Sequence, residues 1–520
     1  NEAFNQWIEP QFKGDLLSFN GISKTLKGKP FKFHQHQPQV VERALLSDTG
    51  TLFAHEAGAG KTIELAATSI KGKEIGMWKM PLTAIPNHML VQFTNETLEL
   101  FPNAKVLAIT KDDMKKENRQ IFLNKLKTGD WDSIICTHST YQKIALSADH
   151  VEQYMQAELD KYTDALESSK LSGDKISEKE LQRQINNFKV KMQQKILNLQ
   201  KNQDDGAITF DDLPIDGILY DEAHYLKNYS FPTKLSSLAG INTQTSSRAL
   251  DSMMKFDYLR EKRGDEKGVI LATGTPIANS VGEMYVMIRY LAPSLLRRAK
   301  IENFDAFVAA FGEVKTNLEM KPDGNGYQMK ERLSRFHNVP ELIRLFRMVA
   351  DIKTGSDLNI ERPVGNKVYI TAEQSEDVSS FMDWLAVRTQ LCASGGVDKT
   401  EDNRLLIANH GRLGSIDLRL IDKSLPDSPT SKVNLCIEKA FDQWEVHAED
   451  KRTQLIFLDQ GVPGGKQFNL YQDIKDKLIA KGVPESEIAF IHDAKNDDEK
   501  EALFSKVRSG EVRVFIASSE

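Results

Sequence analysis

The chain has 520 residues, of which 40% are apolar and 27% charged, and its formal net charge is −6. That composition excludes collagen-like, disulfide-scaffold and wholly disordered chains, and the length suits about three domains. A charge so nearly balanced argues against a basic protein that coats nucleic acid by bulk charge, though it leaves room for a local basic groove.

No apolar run approaches the roughly 20 residues needed to span a bilayer. The opening Asn1-Glu2-Ala3-Phe4 has neither the basic nor the apolar region of a secretory signal. It also lacks an initiator Met, which leads us to expect a piece of a longer protein. Cys136, Cys392 and Cys436 are odd in number and far apart, with no CxxC pair and no zinc spacing. Buried thiols in a reducing cytoplasm are the expected reading.

In chain order, residues 1–29 read as an irregular N-terminal segment broken by Gly14, Gly21 and Gly28. From 30 to 292, short apolar runs alternate with helical patterns. The runs are Thr51-Leu52-Phe53-Ala54, Leu82-Thr83-Ala84-Ile85, Ser133-Ile134-Ile135-Cys136, Gly217-Ile218-Leu219-Tyr220 and Val269-Ile270-Leu271-Ala272. They predict an α/β lobe on a doubly wound parallel sheet, which binds ligands beyond the carboxyl ends of its strands.

Inside that lobe, residues 147–205 are polar and helical. Val151, Met155, Leu159, Tyr162 and Leu166 form one apolar stripe; Leu181, Ile185, Phe188, Met192, Ile196 and Leu199 form another. We expect an inserted antiparallel helical hairpin that turns at Ser172-Gly173-Asp174, with Ser177 and Glu180 as a capping box. Residues 293–430 read as a helical middle region, with clear periodicity over 339–349 and 377–391. Strand patterns resume at Gln454-Leu455-Ile456-Phe457-Leu458 and Val512-Arg513-Val514-Phe515-Ile516. Residues 431–520 therefore predict a partial second α/β lobe, thin for a complete domain.

Chemistry concentrates at strand ends. His55-Glu56-Ala57-Gly58-Ala59-Gly60-Lys61-Thr62 lies between a strand and a helix. Glycines let such a loop curl so that backbone N–H groups point at a phosphate chain, and the helix start adds its positive end. Glu56, Ala57, Gly58, Ala59, Gly60, Lys61 and Thr62 are the candidate nucleotide cradle. Lys61 would reach the β- and γ-phosphates, and the Thr62 hydroxyl would ligate Mg²⁺. His55 replaces the first glycine of the usual pattern. Asp221-Glu222-Ala223-His224 follows another strand, as the second nucleotide motif does. Asp221 would hold Mg²⁺ through water, and Glu222 would polarise the water that attacks the γ-phosphate. Glu222 and Lys61 are the candidate catalytic residues, with ATP and Mg²⁺ as cofactors.

The surroundings, Tyr220-Asp221-Glu222-Ala223-His224-Tyr225-Leu226-Lys227-Asn228, resemble the second motif of the Swi/Snf-like class of superfamily-two DNA translocases. That class commonly reads DEAH, two residues, then Lys-Asn. Its phosphate loop often reads Asp-Glu-Met-Gly-Leu-Gly-Lys-Thr, where this chain has His55, Ala57 and Ala59 at the first, third and fifth places. Leu271-Ala272-Thr273-Gly274-Thr275-Pro276-Ile277-Ala278-Asn279 resembles the third motif, Thr-Gly-Thr-Pro with Asn shortly after. RNA helicases of the DEAH type usually carry Ser-Ala-Thr there. The wording around His36-Gln37 and His55-Glu56 looks closest to large helicase proteins of phages and mobile elements, often fused to an adenine DNA methyltransferase.

The resemblance implies RecA-like motor lobes, here one lobe with the helical hairpin, a helical middle region and a truncated second lobe. It implies that His224, Thr273, Gly274 and Thr275 couple nucleotide state to the neighbouring lobe. Gln37 would read adenine, with Gln35 and Gln39 competing for that role. Pro86, Asn87, His88, Thr137 and Tyr141 would contact duplex DNA through its phosphates rather than its sequence. The implied function is an ATP-driven DNA translocase or helicase motor in a bacterial or phage-infected cell. Alternatives are the motor segment of a restriction or anti-restriction machine, with methyltransferase or nuclease modules elsewhere, an ATP-binding scaffold, and an RNA-dependent ATPase.

Arginines that complete such a site sit in a Gln-Arg-x-x-Gly-Arg string in this class, and no such string occurs here. An arginine finger is worth on the order of 10³–10⁵ in rate. Residues 1–520 are therefore expected to hold nucleotide but to hydrolyse it poorly. His410-Gly411-Arg412-Leu413-Gly414 reads as structural, being too early for that motif.

Overall fold

The computed structural model describes residues 9–518 apart from 172–174, 205–208, 236–237, 239–240, 242–243, 279, 321–326, 359–364, 399, 466 and 496. Asn1-Glu2-Ala3-Phe4, the Ser172-Gly173-Asp174 turn, Asn279 and Ser519-Glu520 thus lie outside the described residues. Among the described residues no helix is long and apolar enough to cross a membrane. The chain divides into two units, one of Asn1–Glu319 with Tyr327–Arg362, the other of Met320–Gly326 with Pro363–Glu520.

A short antiparallel pair, β1 (Thr25–Leu26) and β2 (Lys29–Pro30), comes first. The main sheet then takes β3 (Thr49–His55), β4 (Pro81–Ile85), β5 (Val106–Ile109), β6 (Ser133–Thr137), β7 (Gly217–Tyr220) and β8 (Glu266–Ala272). β9 (Gly312–Met320) and β10 (Tyr327–Phe336) form a separate two-stranded sheet, and β11 (Ala350–Lys353) returns to the main one. The order is β11-β3-β8-β7-β4-β6-β5, and every pairing is parallel. Neighbouring residues such as Leu52 and Phe53, Ile134 and Ile135, or Ile270 and Leu271 fall into the cores on opposite faces. Strands buried on both faces read as the continuous apolar runs seen in the sequence.

Three features depart from expectation. The first unit does not end near 292: β11 carries it to Lys353, and the region 293–430 is divided between the units. β11 escaped notice because Ala350-Asp351-Ile352-Lys353 alternates charged with apolar residues, as befits an edge strand. Within the region expected to be helical, β9 sets Val314, Thr316, Leu318 and Met320 at a period of two, which suits a strand and not a helix. The hairpin of Ala148–Leu171 and Lys175–Asp204 is present, but it is not an insertion that packs on itself alone. Its tip side packs on itself through Tyr162, Leu166, Leu181 and Ile185, whereas Val151 and Met155 belong to the main core. Ser177 lies inside the second helix, which starts at Lys175, and so does not precede it as a cap.

The second unit has three parallel strands, β12 (Gln454–Phe457), β13 (Ile488–Phe490) and β14 (Val514–Ala517), in the order β12-β14-β13. Ile437, Leu470, Tyr471, Ile474 and Leu478 from helices Lys432–Val446 and Leu470–Ala480 pack against Val514 and Ile516.

Candidate active site

β3 ends at His55, and helix Lys61–Glu74 begins six residues on. Gly58 and Gly60 both have φ of 90° in this loop, a backbone region that side chains disfavour. At Gly60 a Cβ would also lie 2.5 Å from Gln37 Nε2. The Lys61 ammonium donates to the carbonyls of His55 at 3.0 Å and Glu56 at 3.4 Å. Glu56 N donates to Lys353 O at 3.0 Å, and its carboxylate accepts from Gly355 N.

Gln37 is buried under the loop. Its Nε2 donates to Ala59 O at 3.3 Å and its Oε1 accepts from His34 N at 3.0 Å. The amide braces the loop with one of its two N–H groups and one lone pair of its oxygen, which leaves one donor and one acceptor position of the side chain unused by these bonds.

Asp221 emerges from β7 with its own N–H on Ala84 O at 2.9 Å. Its carboxylate accepts from Glu222 N at 2.9 Å and is almost buried. Burial, reinforced by Glu222, pushes its pKa up to about 6. Glu222 sits at φ 50°, uncommon outside glycine and typical of functional positions. Its Oε2 lies 2.9 Å from His224 Nδ1, and that bond holds the carboxyl below its ordinary range. His224 Nδ1 is also 3.3 Å from Thr273 Oγ1, which accepts from Thr275 N at 3.1 Å. Behind the pair, His138 reaches Asp221 O at 3.0 Å and stacks on Tyr220 with ring centres 4.4 Å apart. Burial drives the pKa of His138 down to about 4, so it works as a neutral strut.

The motifs converge on one end of the sheet. Thr273 N bonds to Phe53 O at 3.0 Å, and a Cβ on Gly274 would lie 3.7 Å from Lys61 Nζ. For Asp221 burial and Glu222 outweigh the opposing charge of Lys61, whereas for Glu222 the bond to His224 lowers the pKa first and Lys61 adds to it. The donor set suits magnesium triphosphate: a hydroxyl at Thr62, hard carboxylate oxygens at Asp221, a lysine resting on backbone carbonyls, and two left-handed glycines before a helix start.

The residues expected to touch DNA do not share one exposure. Asn87 and His88 are exposed, while Pro86 is buried ahead of their 3₁₀ turn. Thr137 is buried and caps helix His138–Lys143, its Oγ1 accepting from Thr140 N. Tyr141 corrects the expectation: its ring is fully enclosed, 5.6 Å from Tyr220 and 3.9 Å from the Lys255 ammonium. On that short helix its side chain faces the core, out of reach of a phosphate.

Sequence reasoning missed Glu64 and Asp351, which flank His55 in the interior, and Arg43, which pairs with Asp351. The one available signal was His55 itself, an ionisable residue in place of a glycine. In the second unit, Arg419 is locked by Asp417 at 2.8 Å and Asp473 at 3.0 Å, and Arg412 rests on Asn409.

A glycine loop, an acidic pair and a hydroxyl turn at one end of a parallel sheet match the plan of a helicase-type domain. Residues 44–354 match the family described as "Probable helicase domain", and the chain belongs to that family. The matched span ends one residue after β11, in agreement with the seventh strand being part of the domain. Among curated proteins, "Defense against restriction protein B" of Escherichia phage P1 is 23% identical over 406 residues, which is 69% of this chain. The chain spans only 17% of the length of that relative. Solved structures similar to it are the Sulfolobus solfataricus SWI2/SNF2 ATPase core in complex with dsDNA and the same core domain alone. The first is 14% identical with a TM-score of 0.37, covering 97% of this chain and 80% of that one. The second is 13% identical with a TM-score of 0.35, covering 97% and 78%.

Proposed function

We propose that this chain is the ATP-hydrolysing motor part of a DNA translocase or helicase that tracks duplex DNA along its phosphates. The observation that carries this reading is that both motifs meet at one sheet end: Lys61 donates to His55 O at the end of β3, Thr273 N bonds to Phe53 O on the same strand, and His224 ties Thr273 to Glu222 beside Asp221. The backbone of 56–62 cradles the phosphates, and Lys61 exchanges its carbonyl partners for phosphate oxygens. Thr62 and Asp221 would hold Mg²⁺, which would supply positive charge against the triphosphate. Glu222 accepts the proton of the attacking water, with His224 keeping its carboxylate ionised and aimed. His224, Thr273, Gly274 and Thr275 relay the state of the γ-phosphate. Exposed Asn87 and His88 meet the DNA backbone, while Pro86, Thr137 and Tyr141 shape the surface behind them.

A second reading concerns biology rather than chemistry. The matched phage protein is named for defence against restriction. We therefore also propose that the motor serves a larger anti-restriction protein that carries methyltransferase or nuclease modules.

ATP hydrolysis by the whole protein, compared with duplex DNA, single-stranded DNA and RNA as stimulators, tests the first reading. Stimulation by duplex supports it. Stimulation by RNA alone would replace it with an RNA-dependent ATPase, and tight ATP binding without turnover would indicate a scaffold.

A further inference from the structure

His55 has no solvent exposure, yet both of its ring nitrogens face carboxylates. Nδ1 lies 2.9 and 3.0 Å from the two oxygens of Glu64, and Nε2 lies 3.0 Å from Asp351 Oδ1. A neutral imidazole has one N–H and would turn a bare lone pair to one of these carboxylates. Donating to both requires both protons.

The other charges around the cluster are consistent with that state. On helix His36–Leu46, His36 Nε2 is 3.2 Å from Glu64 Oε1 and 2.9 Å from Ala59 O. Arg43 on the same helix is 3.3 Å from Asp351 Oδ2 and also donates to Arg347 O. Lys353 lies opposite His55 in the β11–β3 register, and Lys61 donates to the His55 carbonyl. Arg43 also lies 3.9 Å from Glu9, which Arg347 meets at 3.5 Å, so with His55 charged the carboxylates of Glu64, Asp351 and Glu9 face His55, Arg43 and Arg347. Burial alone would lower the pKa of His55, but the two carboxylates outweigh it and hold it near 9.

The contacts join three pieces of backbone: the root of the phosphate loop at His55, the first turn of the helix at Glu64, and the edge strand at Asp351. Glu56 adds two further ties from the loop to the β11 end, through Lys353 O and Gly355 N.

We propose that His55 is a positioning residue, a buried imidazolium that clamps the root of the phosphate loop between Glu64 and Asp351, so that the grip on a nucleoside triphosphate depends on β11. This rests on the nucleotide-binding reading given above. The same donors, His36, His55 and Glu64, lie within 4.8 Å of one another and could instead surround a transition metal. The clamp and the metal site make opposite predictions about the ring.

The test uses the 520-residue chain with ¹⁵N-labelled histidine, together with titration by a fluorescent ATP analogue. The clamp predicts that the His55 ring carries both protons at pH 8. It predicts that Asp351→Asn weakens binding of the analogue about tenfold. The double variant His55→Gln with Asp351→Asn should recover most of that loss, because Gln can donate to Glu64 and accept from the new amide. A singly protonated ring at neutral pH would overturn the clamp. So would stoichiometric zinc or iron in chelator-washed protein, or wild-type affinity in Asp351→Asn. If wild type binds no analogue, the nucleotide reading fails, and the ring protonation still decides whether the clamp exists. If the variants do not fold, the wild-type ring decides alone.

Discussion

The two sides of the site hold charge in opposite ways. On the loop side His55, Glu64, Asp351 and Arg43 are buried and mutually paired. On the acidic side Asp221 is nearly as buried, stands beside Glu222, and among the described residues has no ion pair. Its carboxyl is accordingly pushed up to about 6, while those of Glu64 and Asp351 are held below their ordinary values by hydrogen bonds that outweigh burial. A compensated cluster is a fixture of the fold; an uncompensated buried carboxylate marks where a cation is wanted. The loop side should therefore govern stability and grip, and the acidic side turnover.

The largest effect is expected on the acidic side. Glu222→Gln should cut turnover by about 10²–10⁴, the usual worth of a positioned general base, with nucleotide affinity little changed. Lys61→Ala should lower both affinity and turnover, because it removes the charge that meets the transferred phosphate. Steady-state hydrolysis beside analogue titration separates the two patterns; equal loss of affinity in both variants would dissolve the division of labour.

On the loop side, His55→Gly restores the ordinary motif yet strands two buried carboxylates. It should destabilise the chain by about 3–5 kcal/mol, the cost of breaking a buried pair. Urea unfolding measures this, and a change below about 1 kcal/mol would mean that water enters the cluster and the pairing is weak.

The pairing also sets a pH window. The pKa of His55 is raised from 6.5 to about 9, so its stabilisation is complete below 6.5 and is lost as pH climbs through 9. The pKa values of Glu64 and Asp351 are lowered, so their share is present above the unfolded values of 4.5 and 3.8 and is lost on acidification. Thermal midpoints should therefore be highest between these limits, and Asp351→Asn should flatten the alkaline fall. An unchanged alkaline limb in that variant would remove His55 as its cause.

Thr273→Ala should have the smallest effect. It takes one partner from His224 Nδ1 and leaves Glu222 in place. A loss of about 1 kcal/mol, or several-fold in stimulated turnover, is expected from one hydrogen bond. A loss as large as that of Glu222→Gln would mean that Thr273 itself handles the water.

The sequence made the central strands legible, and with them the places of the glycine loop and the acidic pair, because strands covered on both faces leave unbroken apolar runs, such as Ile218-Leu219-Tyr220 ahead of Asp221. The edge strand β11 was not legible: half-covered, it alternates, and Asp351 looks like an ordinary surface acid until β11 pairs with β3. The network at His55 was hidden for the same reason, since its members lie as far apart as Arg43 and Asp351. Tyr141 was misread because helix His138–Lys143 is too short for its periodicity to reveal which side faces the core. The hairpin was found, but its apolar stripes could not say that Val151 and Met155 continue into the main core.

The central claim is that this sheet end hydrolyses ATP and that Glu222 drives the step. Its most direct test is single-turnover ATP hydrolysis by the whole protein, with and without duplex DNA, for wild type and Glu222→Gln. The account predicts duplex-stimulated hydrolysis by wild type and about a hundredfold or greater loss in the variant, with ATP still bound. Equal hydrolysis by the two proteins, or tight ATP binding by wild type with no hydrolysis under any condition, would contradict it.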